Sequence, residues 1–320
     1  MTTDASFAYR LTAGGVIETP GLDEAVQSGG AAMVWVHLDG NAAEALAWLA
    51  ARSHLPDAAI EALQARETRP RATPMAAGAI VNLRGLATQA DAEAGADLLA
   101  SIRLWAEHGH VVTLSYRPQA SLGDVRARME AGCIRDPGDL IAALAETITE
   151  RLDPQVGAVG DRLDDLESAF AAGRTDIRDA LGDVRRAAVE YRRFLFPQRD
   201  ALHRLVSPEF AWLADDDRTH IREAADRAQR MAEELDAVRD RAGVLASQMT
   251  DYRSDVANQR MLVLSIIAAV FLPLTFLTGL MGMNVGGLPL RGSTGFWAVV
   301  ALCGTIAIGM RLWFRRRGWA

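Results

Sequence analysis

Apolar positions along the chain follow three successive rhythms. Up to about residue 135 they come in short runs separated by turn signals, from 137 to 256 they recur every three or four residues, and beyond 261 they are nearly continuous. In the first stretch, residues 32–38 (AMVWVHL) read as a strand closed by Asp39-Gly40, and residues 79–86, 100–105 and 111–116 as further strands. Glu107-His108-Gly109-His110 has the composition of a hairpin turn between the last two. Residues 42–51, 57–65 (after Pro56) and 121–131 (before Gly132) read as helices. The expectation is a mixed α/β domain over 1–135.

The second rhythm predicts long helices. Leu152, Val156, Val159, Leu163, Leu166 and Phe170 keep helical spacing until Gly173. Ile177, Leu181, Val184, Ala188, Tyr191 and Leu195 repeat it, and Pro197 is expected to end that helix. From about Asp217 a third series runs through Ile221, Ala224, Ala228, Met231, Leu235 and Val238, and on through Ala242, Leu245, Met249, Tyr252 and Val256. Its steps alternate three and four without a slip, which is a heptad seam. A seam this long needs cover from the two preceding helices, from copies of itself, or from both. Nothing between Val256 and Met261 stops the helix, so it should continue into the apolar region. The predicted middle region, a helix bundle with a stalk helix, spans 136–260.

The third region, 261–320, carries no Asp, Glu or Lys. Residues 261–290 and 292–310 are uncharged, and each run reaches the about 20 residues that cross a bilayer's hydrocarbon core. The expected spans are about 261–283 and 293–312, joined by a loop at 284–292 and followed by a basic tail, 313–320. Gly282-Met283-Asn284 falls where the first span ends, at one membrane surface.

Charge orients these spans. The chain has no lysine; before position 256 it holds 28 arginines against 41 acidic residues, net −13, and six arginines follow. Arg253 and Arg260 precede the first span, Arg311 and Arg315–Arg317 follow the second, and the loop has only Arg291. The positive-inside tendency then places both termini in the cytoplasm. Arg315–Arg317 with Trp313 and Trp319 reads as an interfacial anchor. The acidic first part argues against nucleic acid as partner and suits attraction of cations. Cys133 and Cys303 are too few for a disulfide framework, and the first residues lack the pattern of a cleaved signal.

Within the first span, Met261, Leu264, Ala268, Leu272, Thr275, Gly279 and Gly282 share one helical face, the smallest and most polar available. Ile266, Val270, Phe271, Leu274 and Phe276 lie elsewhere, and Pro273 frees a carbonyl near Ala269. The stripe fits either the lining of a conduit or a plain packing face, since Gly279-x-x-Gly282 also permits close helix contact. As a conduit it would hold no carboxylate. Asn284 amides and Gly282 carbonyls from several copies would hydrogen-bond to the water shell of a hydrated cation, with Met261, Leu264 and Leu272 as apolar constrictions. Two spans cannot enclose a pore, so this reading requires a homo-oligomer.

The run Pro273-Leu274-Thr275-Phe276-Leu277-Thr278-Gly279-Leu280-Met281-Gly282-Met283-Asn284 resembles the signature of the CorA-type divalent metal ion transporters. The resemblance implies a homopentamer with a funnel-shaped cytoplasmic domain in the bacterial inner membrane. It implies that the first span lines the pore and the second forms an outer ring. Met261, Leu264, Thr275, Gly282 and Asn284 match the family's pore-lining places, Gly282, Met283 and Asn284 its selectivity filter, and Asn258 an Asn common before the span. The loop Val285-Gly286-Gly287-Leu288-Pro289-Leu290 lacks the aromatic and acidic residues of magnesium-transporting members and is similar to the ZntB zinc-transporter branch. Met281 stands where an aromatic is common. Zinc as the carried ion follows from this resemblance alone, because the stripe has no His or Cys. A Mg²⁺/Co²⁺ channel gated by cytoplasmic metal, and a membrane-tethered helical scaffold, are the alternatives.

Other residues carry weaker expectations. His108 and His110 could bind a metal but more often occupy a turn or strand end. His37 reads as a satisfied interior residue. Asp215-Asp216-Asp217 reads as a solvated face or a helix start, with Asp217 or Thr219 as its cap. No spacing ties His203 or His220 into a site. No Ser/His/Asp arrangement, phosphate loop or Cys-x-x-Cys suggests an enzyme or a cofactor.

Overall fold

The computed structural model describes residues 6–27, 31–52, 55–66, 69–90, 97–283 and 293–317. Its first compact unit runs from Met1 to Val244 and its second from Leu245 to Ala320. In the first, β1 (Phe7–Thr12), β2 (Ile17–Glu18) and α1 (Leu22–Gln27) precede β3 (Ala31–Asp39), α2 (Ala43–Arg52) and α3 (Asp57–Gln64). There follow β4 (Arg71–Pro74), β5 (Gly78–Leu86), β6 (Leu99–Glu107) and β7 (His110–Ser115), then α4 (Ala120–Glu130), α5 (Pro137–Ala171) and α6 (Arg178–Leu205). The helix α7 (Asp215–Met281) belongs to both units, and α8 (Ser293–Arg316) to the second.

The described strands form one sheet of order β2-β1-β3-β7-β6-β5-β4. Only the β3–β7 pair is parallel among them. Residues 33–38 of β3 are all buried, which explains why they read as a continuous apolar run rather than an alternating one. Val34, Val36 and Leu38 join Trp48, Leu49 and Leu63 of α2 and α3 in one core. On the alternate face Trp35 stacks on Tyr9, whose hydroxyl donates to Glu130 of α4 (2.5 Å). The β6–β7 hairpin turns at Gly109, whose φ of +76° lies in the left-handed region that favours glycine. His108 and His110 sit on that hairpin, exposed.

The interior expectation for His37 holds. Its Nδ1 lies 2.9 Å from Thr113 Oγ1 and its Nε2 3.3 Å from Ser115 Oγ. The Thr113 hydroxyl donates to the Val36 carbonyl (3.2 Å) and accepts from Trp35 Nε1 (3.0 Å). Having given its one proton away, Thr113 must accept from His37 Nδ1–H, so Nε2 accepts from Ser115. Burial, reinforced by the Arg126 charge, holds this imidazole neutral with its pKa down to about 3.

Asp136 caps α5 by accepting from the Asp139 N–H (2.9 Å), with Pro137 at the first helical position. Gly173, at φ +85°, follows the end of α5 as expected. Pro197, however, does not end α6, which continues through it to Leu205. The residues beyond it explain this: Gln198, Ala201, Leu202 and Leu205 are buried, and their packing outweighs the lost backbone bond and ring clash. Gln198 Oε1 also accepts from the Arg84 N–H of β5 (2.7 Å), tying this turn to the sheet.

The seam of α7 is buried from Ile221 through Met249, while Tyr252 is exposed. Its cover within the first unit comes from the same chain. Arg192 of α6 donates to Asp236 (2.6 Å), Arg241 donates to Asp164 and Glu167 of α5 (both 2.5 Å), and Arg227 pairs with Glu150 (3.4 Å). These exposed pairs fix register more than they stabilise; the buried seam supplies the energy.

Of the two expected readings of Asp215-Asp216-Asp217, the helix start holds; Asp215 and Asp216 are exposed. Asp217 is buried, and its carboxylate accepts from the Ala214 N–H (2.9 Å), reaching back from the third helical position as in a capping box. Thr219 caps nothing; its hydroxyl donates to the Asp215 carbonyl (3.0 Å). Burial, together with Asp136, Asp139 and Asp216, raises the Asp217 pKa from 3.8 to about 6 against the opposing Ala214 hydrogen bond. The unfolded chain releases this proton near pH 3.8 and the folded chain keeps it to about pH 6. The stability held by the protonated form is therefore complete below the lower value and is lost as pH rises through the higher one. Asp217→Asn retains the acceptor oxygen and removes the titration. It should stabilise the protein at pH 7 by roughly 2 kcal/mol, with no gain at pH 3.5. Thermal melts of parent and variant across that range check it, and parallel melting curves would refute it.

Candidate functional site

The apolar half of α7 and all of α8 are long and apolar enough to cross a membrane. Along α7 two faces differ sharply. Ile266, Ala269, Val270, Pro273, Leu274, Leu277 and Met281 are half-buried and recur at helical spacing. On α8 the matching series is Gly295, Val299, Cys303, Ala307, Met310 and Phe314. Ile266 and Val270 share a cleft of about 800 Å³ with Ala307, Arg311 and Phe314. This is the side of α7 turned to α8.

The stripe singled out in the sequence lies on the opposite side. At 100° per residue, Met261, Leu264, Ala268, Leu272, Thr275, Gly279 and Gly282 cluster about half a turn from the half-buried series. All seven are exposed, with Met261 at 63%, Leu264 at 67% and Leu272 at 72%. Of the residues expected elsewhere, Ile266, Val270 and Leu274 fall on the covered face, whereas Phe271 and Phe276 are exposed at its flanks. Pro273 sits inside the helix without interrupting it.

The helix closes with a final turn. Gly282 N–H donates to the Thr278 and Gly279 carbonyls (3.0 and 3.2 Å), and Met283 N–H to Leu280 (3.4 Å). The first two residues of the tripeptide therefore stand at the negative end of the α7 macrodipole, a location that favours cations. Asn284 and the loop to residue 292 lie outside the described residues. At the far end of α8 the Arg317 guanidinium lies 5.4 Å from the Trp313 ring centre; Trp319 is outside the described residues.

One constellation was missed in the sequence. Glu146 of α5 with His220 and Glu223 of α7 brings three ligand atoms within 4.8 Å of one another. Its only linear trace is the i, i+3 spacing of His220 and Glu223; Glu146 is added by helix packing. His220 Nδ1 is 2.7 Å from Glu146 Oε1, and Arg128 donates to Glu146 Oε2 (2.9 Å). Slight burial opposes charging of His220, but the Glu146 hydrogen bond and charge, with Asp216 and Glu223, raise its pKa. A His/carboxylate set of this kind suits a zinc-like ion once the imidazole loses its proton. His108 and His110 belong to no such group among the described residues.

The described residues thus join a mixed-sheet domain to a long helix that continues as the first of two helices long and apolar enough to cross a membrane. The chain belongs to the CorA-like Mg2+ transporter protein family, whose model matches residues 30–316. That membership assigns it to divalent-cation transport. It is 30% identical over 317 residues to the zinc transport protein ZntB of Pectobacterium carotovorum subsp. carotovorum, covering 98% of this chain and 96% of that protein. It is 33% identical over 291 residues to the divalent cation transporter CmaX of Pseudomonas aeruginosa, covering 89% and 87%. The solved structure of full-length CmaX superposes with a TM-score of 0.81 at 30% identity, covering 99% of each chain.

Proposed function

We propose that copies of this chain assemble, as a homopentamer in the bacterial inner membrane, around a pore lined by the exposed stripe of α7. The observation that carries the reading is the separation of the two α7 faces. α8 takes one, and the face left bare bears the small and polar positions together with the tripeptide. A hydrated divalent cation meets Asn284 amides and the carbonyl end of α7 at the outer mouth. It then passes Thr275 and the apolar constrictions at Leu272, Leu264 and Met261. Both termini lie in the cytoplasm.

Zinc is the proposed ion. The relatedness to ZntB supports it, as does the outer loop, whose one charged residue is Arg291 and which offers no acidic ring to collect Mg²⁺. The family's magnesium-named model favours Mg²⁺ as the second reading. Purified protein in liposomes loaded with an ion-sensitive dye separates them. Zn²⁺ entry well above protein-free vesicles is expected, with Mg²⁺ slower. Mg²⁺ entry with little Zn²⁺ would establish the second reading, and no entry of either would remove the pore.

A further inference from the structure

The cleft between α7 and α8, about 800 Å³, joins two kinds of surface. Its walls are apolar: Ile266, Val270 and Phe271 from α7, Ala307 and Phe314 from α8. The rest of its chemistry is cationic, because Arg311 and Arg315 also line it, and both are exposed. Four residues apart, they share one face of α8 and stand about 6 Å from each other along its axis. Ala307, one turn before Arg311, continues that face into the apolar part. Charge thus gathers toward one end of the cleft and hydrocarbon toward the other.

Helices that pack side by side normally interlock, so a gap of this size is filled by something. Both helices are long and apolar enough to cross a membrane, and in a bilayer the nearest apolar filler is an acyl chain. The arginines call for an anion at the same end. No Asp or Glu follows Asp255, which stands eleven residues before Ile266, about 16 Å away along α7. A second copy related by rotation about the membrane normal presents its own Asp255 at that same height, equally far off. A phospholipid phosphate, in contrast, lies at the interface that long arginines near a helix end reach, and it accepts from guanidinium forks. Basic pockets between spanning helices on the cytoplasmic side bind anionic head groups by this chemistry.

We propose that this cleft holds one anionic phospholipid, its phosphate on Arg311 and Arg315 and an acyl chain along Ile266, Val270 and Ala307. That the lipid belongs to the cytoplasmic leaflet rests on the topology proposed above. A zwitterionic lipid fits less well, because its ammonium group brings a further positive charge to the cationic end. Lodged there, the lipid completes the packing between α7 and α8.

Native mass spectrometry of the full chain in neutral detergent, with phosphatidylglycerol or phosphatidylcholine added, tests this. It reads lipid retention without ion flux, so a failed pore and a failed lipid site are told apart. Phosphatidylglycerol should stay bound at about tenfold lower concentration than phosphatidylcholine. Arg311→Gln with Arg315→Gln should abolish that preference. Arg316→Gln with Arg317→Gln, which removes the same charge from exposed positions outside the cleft lining, should keep it. Ala307→Phe, which narrows the apolar part, should weaken retention of both lipids. Equal retention of the two lipids by the parent, or equal loss in the two double variants, would overturn the proposal. A smaller assembly in Arg311→Gln with Arg315→Gln, its lipid preference unchanged, would overturn it in favour of a second copy in the cleft.

Discussion

Asn284→Ala is expected to cut divalent-ion flux about tenfold or more, a change equivalent to ~1.4 kcal/mol in ion recognition. From Val256 onward the chain offers no carboxylate. In the proposed pore, recognition then comes from dipoles: the Asn284 amide, the carbonyls around Gly282, and the negative end of α7. Each dipole is weak, so a ring depends on every copy contributing one. Alanine removes the amide from every subunit at once, and the helix terminus alone cannot hold a hydrated ion in register. The variant should assemble like the parent, because residue 284 follows the last described turn of α7. Dye-loaded liposomes and size-exclusion profiles measure both quantities; full flux through an intact assembly would remove Asn284 from the filter.

The larger effect on folding is expected at Leu235, fully buried in the α7 seam. Leu235→Asp loses about 2–3 kcal/mol of apolar burial and places an unpaired carboxylate there at further cost, giving about 4 kcal/mol or more in all. Against a typical total of about 5–15 kcal/mol, this should leave the soluble part largely unfolded or poorly expressed. Val244→Asp, on the same helix but 59% exposed, should change stability by less than about 0.5 kcal/mol. Far-ultraviolet dichroism and thermal melts compare them. Equal behaviour would show that the seam is not the structural spine of the bundle.

The seam was legible because helical periodicity is a strong signal over many turns, and all its positions through Met249 are buried as spaced. The strands β3, β5, β6 and β7 were legible for a related reason: each is buried nearly throughout, so each stands out as an apolar run. In contrast, β1, β2, β4 and α1 have no counterpart in that reading. They are short or lie at the sheet's borders, where partly exposed residues such as Arg10 and Arg71 break the pattern. Pro197 misled because local chemistry was weighed without the buried face beyond it. The helix start at Asp215–Asp217 was legible, as was a capping role for Asp217, but its burial was not, because only tertiary packing buries the third aspartate. At the candidate site, the tripeptide and its stripe were readable from composition and spacing. The Glu146–His220 pairing and the cleft between α7 and α8 were not, since each joins residues from different elements.

The parallel β3–β7 joint connects two antiparallel ladders whose strands come from distant parts of the chain. Both strands are buried on consecutive residues, so hydrophobic patterning is a weak guide to register there. It is blind to a slip of two, which keeps each apolar group on its own side. The Trp35, His37, Thr113 and Ser115 partnership sees that error. Shifted by two, the indole and imidazole nitrogens would face new neighbours and lose their mates inside a dry interior. Polar matching at this joint thus acts as a checksum on alignment, rejecting a mispaired sheet that oil-and-water patterning alone would accept.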